Sequence, residues 1–336
     1  MKAILVEKAT TVDHLTVRNV PDPIAKRGEV IVDVKSAALN FFDTLQVQEK
    51  YQIKPPYPYI PGAEFAGIIT QVHPDDKDDT SFKVGDRVFG STQGCYAEKV
   101  SCQRSQLLHI PSNLSFEQAS GLFITYPTSY VALVYRAQLK AGEWCLVHAA
   151  AGGVGLCAVQ IAKALGAKVI ATAGSQEKLD IALKSGADYA VNYRDKDWAA
   201  QVLKITQGHG ADVIYDPVGL INDSLRCSAW CARVLVVGFA AGTIEKIPAN
   251  RILLKNISVV GVHWGAYAKH DLATVAQVWT ELLDLFEKKK LVPVVYEKIY
   301  QGLESVKTGL NDLVARKTYG KAVVAIGGVA PTNSKL

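Results

Sequence analysis

The nine residues Val147-His148-Ala149-Ala150-Ala151-Gly152-Gly153-Val154-Gly155 have the types and spacing to hold a phosphate. They follow a short apolar run, Trp144 to Val147, and open a stretch, Leu156 to Leu165, that is apolar at helical spacing. A glycine-rich turn between strand and helix lets the backbone approach a pyrophosphate. The helix N-terminus then offers unpaired N–H groups and a partial positive charge. Ala149 stands where such a turn usually has its first glycine, so an ordinary helix cap is the competing use of Ala149, Gly152, Gly153, Val154 and Gly155. The flanks favour a nucleotide: 168–173 reads as a second strand and 176–184 as a second helix. A chain selecting NAD carries Asp or Glu about 20 residues beyond the turn, on the ribose 2′-hydroxyl. Here the second strand ends Thr172-Ala173-Gly174-Ser175, and the next acid, Glu177, belongs to the helix.

These segments need a framework. With 336 residues, nearly half of them hydrophobic, the chain predicts two domains with large cores. A net charge of +5, spread along the chain, does not indicate nucleic acid. The Lys288-Lys289-Lys290 cluster ends an apolar-periodic stretch and reads as a helix C-terminus. Six cysteines without a Cys-x-x-Cys pair imply buried thiols in a reducing compartment. The start, Met1 to Glu7, reads as a strand rather than a signal peptide, and no apolar run approaches bilayer length. The last three residues, Ser334-Lys335-Leu336, spell the peroxisomal address and predict that location if the source is a eukaryote, the cytoplasm otherwise.

The first third predicts short strands at 28–34, 67–72, 86–90 and 95–100, punctuated by Gly and Pro: a β-rich domain. Helices follow at 116–122 and 128–136. Strand and helix then alternate from 144 to 262, with helices at 195–206 and 222–230 and strands at 212–216, 233–238 and 257–262. This alternation is the signature of a parallel doubly wound sheet. A long helix near 271–289 and strands near 294–299 and 321–326 complete the chain, the last returning to the first domain.

Several islands together resemble the medium-chain dehydrogenase/reductase superfamily, in its zinc-free quinone oxidoreductase branch, which includes zeta-crystallin. They are Asn40-Phe41-Phe42-Asp43-Thr44, Pro61-Gly62-Ala63-Glu64-Phe65-Ala66-Gly67, Val84-Gly85-Asp86-Arg87-Val88, Ala149 to Gly155, Asp216-Pro217-Val218-Gly219 and Gly320-Lys321-Ala322-Val323. The resemblance implies an α/β chain: a Rossmann doubly wound parallel sheet, 125–265, inserted in a GroES-like β-rich catalytic domain, 1–124 and 266–336, with the active site in the cleft between them. It implies a homodimer through the edge strand 256–262, whose apolar, β-branched edge would otherwise invite aggregation.

Zinc alcohol dehydrogenases of this superfamily hold their metal with a Cys and a His where this chain resembles them at Asn40 and Ala63. An amide and a methyl cannot replace two of the three protein ligands a catalytic zinc needs, so a metal-free enzyme is expected. Glu64 alone reads as a structural hydrogen-bonder. Without a Lewis acid, hydride transfer favours an acceptor that is already electrophilic, a quinone or an activated C=C bond. The resemblance places Asn40, Asp43 and Thr125 near the nicotinamide. Asp43 also fits a loop cap, and Thr125 a helix cap. Tyr51 stands where related 2-enoyl-thioester reductases have a proposed proton donor; a packing aromatic beside Pro55-Pro56-Tyr57-Pro58 is the other use. Gly174, Ser175, Lys178 and Tyr193 match the set that binds the 2′-phosphate of NADPH, while a solvated lysine and a core-edge aromatic remain possible uses of the last two. Phe239 joins the cofactor-binding residues. NADPH is the expected cofactor. A 2-enoyl-CoA reductase and a zeta-crystallin-like binding or structural protein are the alternatives to a quinone or enone reductase.

Overall fold

The computed structural model describes residues 1–76 and 78–327, so the Ser334-Lys335-Leu336 address lies outside the described residues. The chain divides into two units, Met1–Phe123 with Pro293–Leu336, and Ile124–Val292. The second is therefore an insertion in the first.

The first unit is built on a seven-stranded sheet. Its longest strand, Glu29–Ala38, pairs antiparallel with Glu64–Val72, with Lys99–Gln103 and, at its far end, with Val323–Ala325. Arg87–Ser91 and Leu107–His109 extend one side, and Tyr300–Gln301 closes the other. Val30, Val32, Val34, Phe65, Ile69, Val88 and Val324 form the core, as alternation along strands requires. The register Val323↔Ala38 brings the C-terminal segment beside the end of Glu29–Ala38, just before Asn40. The strand expected at 95–100 starts later, at Lys99, because Cys95 and Tyr96 bond across to Gly62 and Pro61 instead.

The second unit carries six parallel strands. In chain order they are Trp144–Val147, Lys168–Ala173, Tyr189–Asn192, Ala211–Asp216, Ser228–Val236 and Ser258–Gly261. Across the sheet they run third, second, first, fourth, fifth, sixth, the order of a dinucleotide-binding fold with its switch point beside the first strand. The helix expected at 222–230 is only Ile221–Ser224. Pairing with Ala211–Asp216 shifts between Ala211↔Ser228 and Val213↔Arg233, so extra residues bulge outward. Cys231 there has φ 59°, and Trp230 is 68% exposed.

The second unit also runs to Val292, which corrects the expected boundary at 265. The helix Leu272–Glu287 packs Phe286 edge-on against Tyr126, with ring centroids 4.8 Å apart. The Gln160 side chain then pins the exit: its Nε2 donates to Val292 O at 2.8 Å and its Oε1 accepts from Val292 N at 3.0 Å. A helix whose apolar face is buried on this unit belongs to it, a packing fact that periodicity alone does not reveal.

Candidate active site and dinucleotide site

The glycine turn joins Trp144–Val147 to the helix Gly153–Ala164. Ala149 has φ 45°, the left-handed conformation for which glycine is the usual residue. An L-residue there costs about 1–2 kcal/mol, so the surrounding bonds must hold it. They do: Gly152 N donates to Ala149 O at 2.8 Å, and Ala150 N to Thr172 O at 2.9 Å. A Cβ on Gly155 would sit 2.3 Å from Ala149 O, so that position requires glycine. The N–H groups of Gly153, Val154 and Gly155 have no acceptor among the described residues. Three free donors at a helix N-terminus fit a pyrophosphate.

Beneath the turn, His148 is wholly buried and bonds at both ring nitrogens, Nδ1 with Thr172 Oγ1 at 2.8 Å and Nε2 with Ser224 Oγ at 2.7 Å. Burial pushes its pKa below the ordinary value, against the pull of the Asp216 and Asp223 charges. A neutral imidazole thus ties the first two strands and Ile221–Ser224 together. It is a brace rather than an acid or base.

The end of the second strand makes the next subsite. Asn192 pairs with Ala173, so Tyr193 and Arg194 emerge beside Gly174 and Ser175. A Cβ on Gly174 would lie 3.0 Å from Tyr193 Oη and 3.0 Å from Arg194 Nε. Ser175 is the N-cap of Gln176–Lys184, yet its hydroxyl makes no capping bond, and Lys178 is half-buried in the first turn. The Arg194 side chain is exposed, and its guanidinium has no hydrogen bond or ion pair among the described residues. The structure thus sets Tyr193 beside Gly174 and adds a second cation there, Arg194, which sequence reasoning missed; Lys178 follows in the first turn of the helix that Ser175 precedes as N-cap residue. The signal was there: Arg194 directly follows Tyr193. Phe239 is exposed in the loop after Ser228–Val236. Thr125 is buried inside the helix Leu122–Tyr130, so it is not a helix cap.

In the first unit Asn40 precedes the short helix Phe41–Gln46. Its N–H donates to Asp43 Oδ2 at 2.9 Å, which makes Asp43 the cap of its own loop. Tyr96 Oη donates to the same oxygen at 2.5 Å. Asn40 Nδ2 donates to Glu64 Oε1 at 3.0 Å. Lys321 Nζ donates to Asn40 Oδ1 at 2.8 Å, Glu64 Oε1 at 2.7 Å and Leu39 O at 3.3 Å. Asp43, Glu64 and Tyr96 are wholly buried, Asn40 and Lys321 nearly so. Lys321 was missed as a site residue; its sequence signals are its place in the Gly320-Lys321-Ala322-Val323 island and a lysine amid apolar residues.

Tyr51 is half-buried and stacks on Phe42, with centroids 5.1 Å apart and planes 22° apart. Burial, helped by the Asp43 charge, raises its phenol pKa, so it keeps its proton at neutral pH. The catalytic zinc of the superfamily does not fit this chain's residues: an ammonium already sits on Asn40 and Glu64, and Ala63 has no donor atom in its side chain. Among the described residues no three His, Cys, Asp or Glu side chains converge on one point.

A parallel sheet in dinucleotide-binding order, a glycine turn with free N–H groups and a buried polar cluster on a β-rich unit define an oxidoreductase of the dinucleotide-binding kind. Comparison with known proteins narrows this. Residues 26–127 match the alcohol dehydrogenase GroES-like domain, and residues 153–287 the zinc-binding dehydrogenase family. The quinone oxidoreductase-like protein 2 homolog of Nematostella vectensis is 39% identical over 301 residues, 88% of this chain and 81% of that protein. The quinone oxidoreductase of Homo sapiens is 34% identical over 293 residues, 85% of this chain and 88% of the relative. The structure of Escherichia coli quinone oxidoreductase complexed with NADPH superposes with a TM-score of 0.86 at 30% identity, covering 97% of this chain and 100% of that one. The chain belongs to the medium-chain dehydrogenase/reductase superfamily, in its quinone oxidoreductase branch.

Proposed function

We propose that the protein is an NADPH-dependent, zinc-independent reductase that passes hydride to a quinone or an α,β-unsaturated carbonyl. The observation that carries this reading is the Lys321 ammonium bound to Glu64 and to Asn40, one of the two positions, with Ala63, at which the resemblance sets the metal ligands of zinc relatives. A chain without that Lewis acid needs an acceptor whose charge delocalises unaided. NADPH, bound, supplies the hydride. Gly153, Val154 and Gly155 would hold its pyrophosphate, and Ser175, Lys178 and Tyr193 its 2′-phosphate. Tyr51, with its proton retained and no hydrogen bond for its hydroxyl among the described residues, would give the proton that balances the reduction. That same free phenol favours, as a second reading, reduction of 2-enoyl thioesters.

The test is NADPH oxidation in chelator against quinones, enones and enoyl-CoA substrates, with ethanol oxidation as control. Turnover of quinones or enones without metal supports the reading. Turnover confined to enoyl-CoA supports the second one. NADPH binding without turnover indicates a binding or structural protein. Stoichiometric zinc lost together with activity rules out the metal-free mechanism. A peroxisomal pool in a eukaryotic source belongs to the same proposal, and deletion of Leu336 should disperse it.

A further inference from the structure

We propose that Lys321 is a positioning residue that makes Asn40 a dedicated hydrogen-bond donor to the oxygen on which negative charge develops. This rests on the reductase reading above. The Lys321 side chain reaches its place because Leu39 N bonds Ala322 O at 2.9 Å, setting the C-terminal segment against Asn40. Its stem runs past Gly121, where a Cβ would come within 2.8 Å of Lys321 Cγ. The ammonium then has three acceptors, one for each of its protons.

An ammonium offers no acceptor, so only the amide oxygen of Asn40 can face it. The flip of the amide is thereby decided. Oδ1 is committed to Lys321, and one Nδ2 proton is committed to Glu64. The second Nδ2 proton has no acceptor among the described residues. The positive charge on Oδ1 polarises the amide and strengthens that remaining N–H as a donor. Glu64 balances the buried ammonium, which would otherwise be an uncompensated charge.

When hydride reaches a quinone or enone carbon, an electron pair moves onto the carbonyl oxygen, and a proton later neutralises it. A donor aimed at that oxygen lowers the barrier most when the acceptor itself stabilises charge poorly. The dependence on the acceptor separates this role from a merely structural one.

The experiment uses the full chain with NADPH and a series of substituted benzoquinones of graded reduction potential, read as single-turnover rates. Lys321→Met should slow the weakest acceptor about ten- to a hundredfold, the scale of losing a group that orients a first contact, and the strongest much less. The plot of log rate against potential steepens, while the NADPH Kd stays within about twofold. The double variant Lys321→Met/Glu64→Gln leaves no unpaired charge and should fold where the single variant does not; it should show the same steepening. Equal losses across the series, or none, with normal wild-type turnover would overturn the Lys321 assignment alone. A wild-type chain that oxidises NADPH with no quinone would overturn the reductase reading as well.

Discussion

The phenol of Tyr96 donates to Oδ2 of Asp43 at 2.5 Å, and both residues are wholly buried. Burial pushes the Asp43 carboxyl up to about 7, and the Glu64 charge adds to this. The Tyr96 phenol, the Asn40 N–H and the Lys321 charge pull the other way. An unfolded aspartate titrates near about 3.9, so between about pH 4 and 7 the native state keeps a proton that the unfolded chain has released. The stabilising effect of this group is complete below that window and is lost as pH rises through it. Asp43→Asn removes the titration. Urea midpoints of variant and wild type should diverge in the variant's favour as pH rises from about 5 to 7.5. A pH-independent difference would show that the carboxyl is ionised throughout.

Tyr51→Phe removes a phenol that stays protonated and keeps the ring that stacks on Phe42. Loss of a general acid costs about a hundredfold or more in rate, so turnover of enones should fall on that scale, with the NADPH Kd unchanged. An unaltered rate would leave Tyr51 as packing only.

Arg194 lies beside Gly174, and Lys178 stands in the first helical turn after Ser175. Losing a hydrogen bond to a charged group costs roughly 1.5–3 kcal/mol, about ten- to a hundredfold in affinity. Lys178→Ala should raise the Michaelis constant for NADPH by that factor, and Arg194→Ala by less because its side chain is exposed. NADH turnover should hardly change in either variant. Equal weakening of both cofactors would mean that these residues support the fold rather than the phosphate.

Among the described residues, the edge strand Ser258–Gly261 has a partner on one side only, Ser228–Val236. Beside it Cys231 N bonds Lys255 O at 3.0 Å, which brings the exposed Trp230 to the same edge as the exposed Leu253 and Leu254. Open N–H and C=O groups with apolar side chains around them suit pairing with a second copy. Light scattering should report a homodimer at micromolar concentration. Trp230→Asp with Val260→Lys should shift it to monomer without loss of helical circular dichroism. A monomeric wild type would discard the interface.

What the sequence determined by itself is local. The switch from period-two strands to alternating strand and helix marked the inserted sheet. The spacing of Gly152 and Gly155 after the first strand marked the turn, because the close approach of the backbone at Ala149 O leaves no room for a Cβ on Gly155. The missing acid after Ala173 was equally visible, since one strand end carries the whole signal. The tertiary structure decided what depends on distant segments. Lys321 meets Asn40 across 281 residues and Glu64 across 257, a contact made only when Val323–Ala325 closes onto Glu29–Ala38. Arg194 reaches Gly174 only through the register of two parallel strands. The true end of the inserted unit depends on Gln160 gripping Val292. Residue type and spacing report which side chains can do chemistry. Which of them share one desolvated site depends on strand pairing and packing, and short-range patterns do not carry that information.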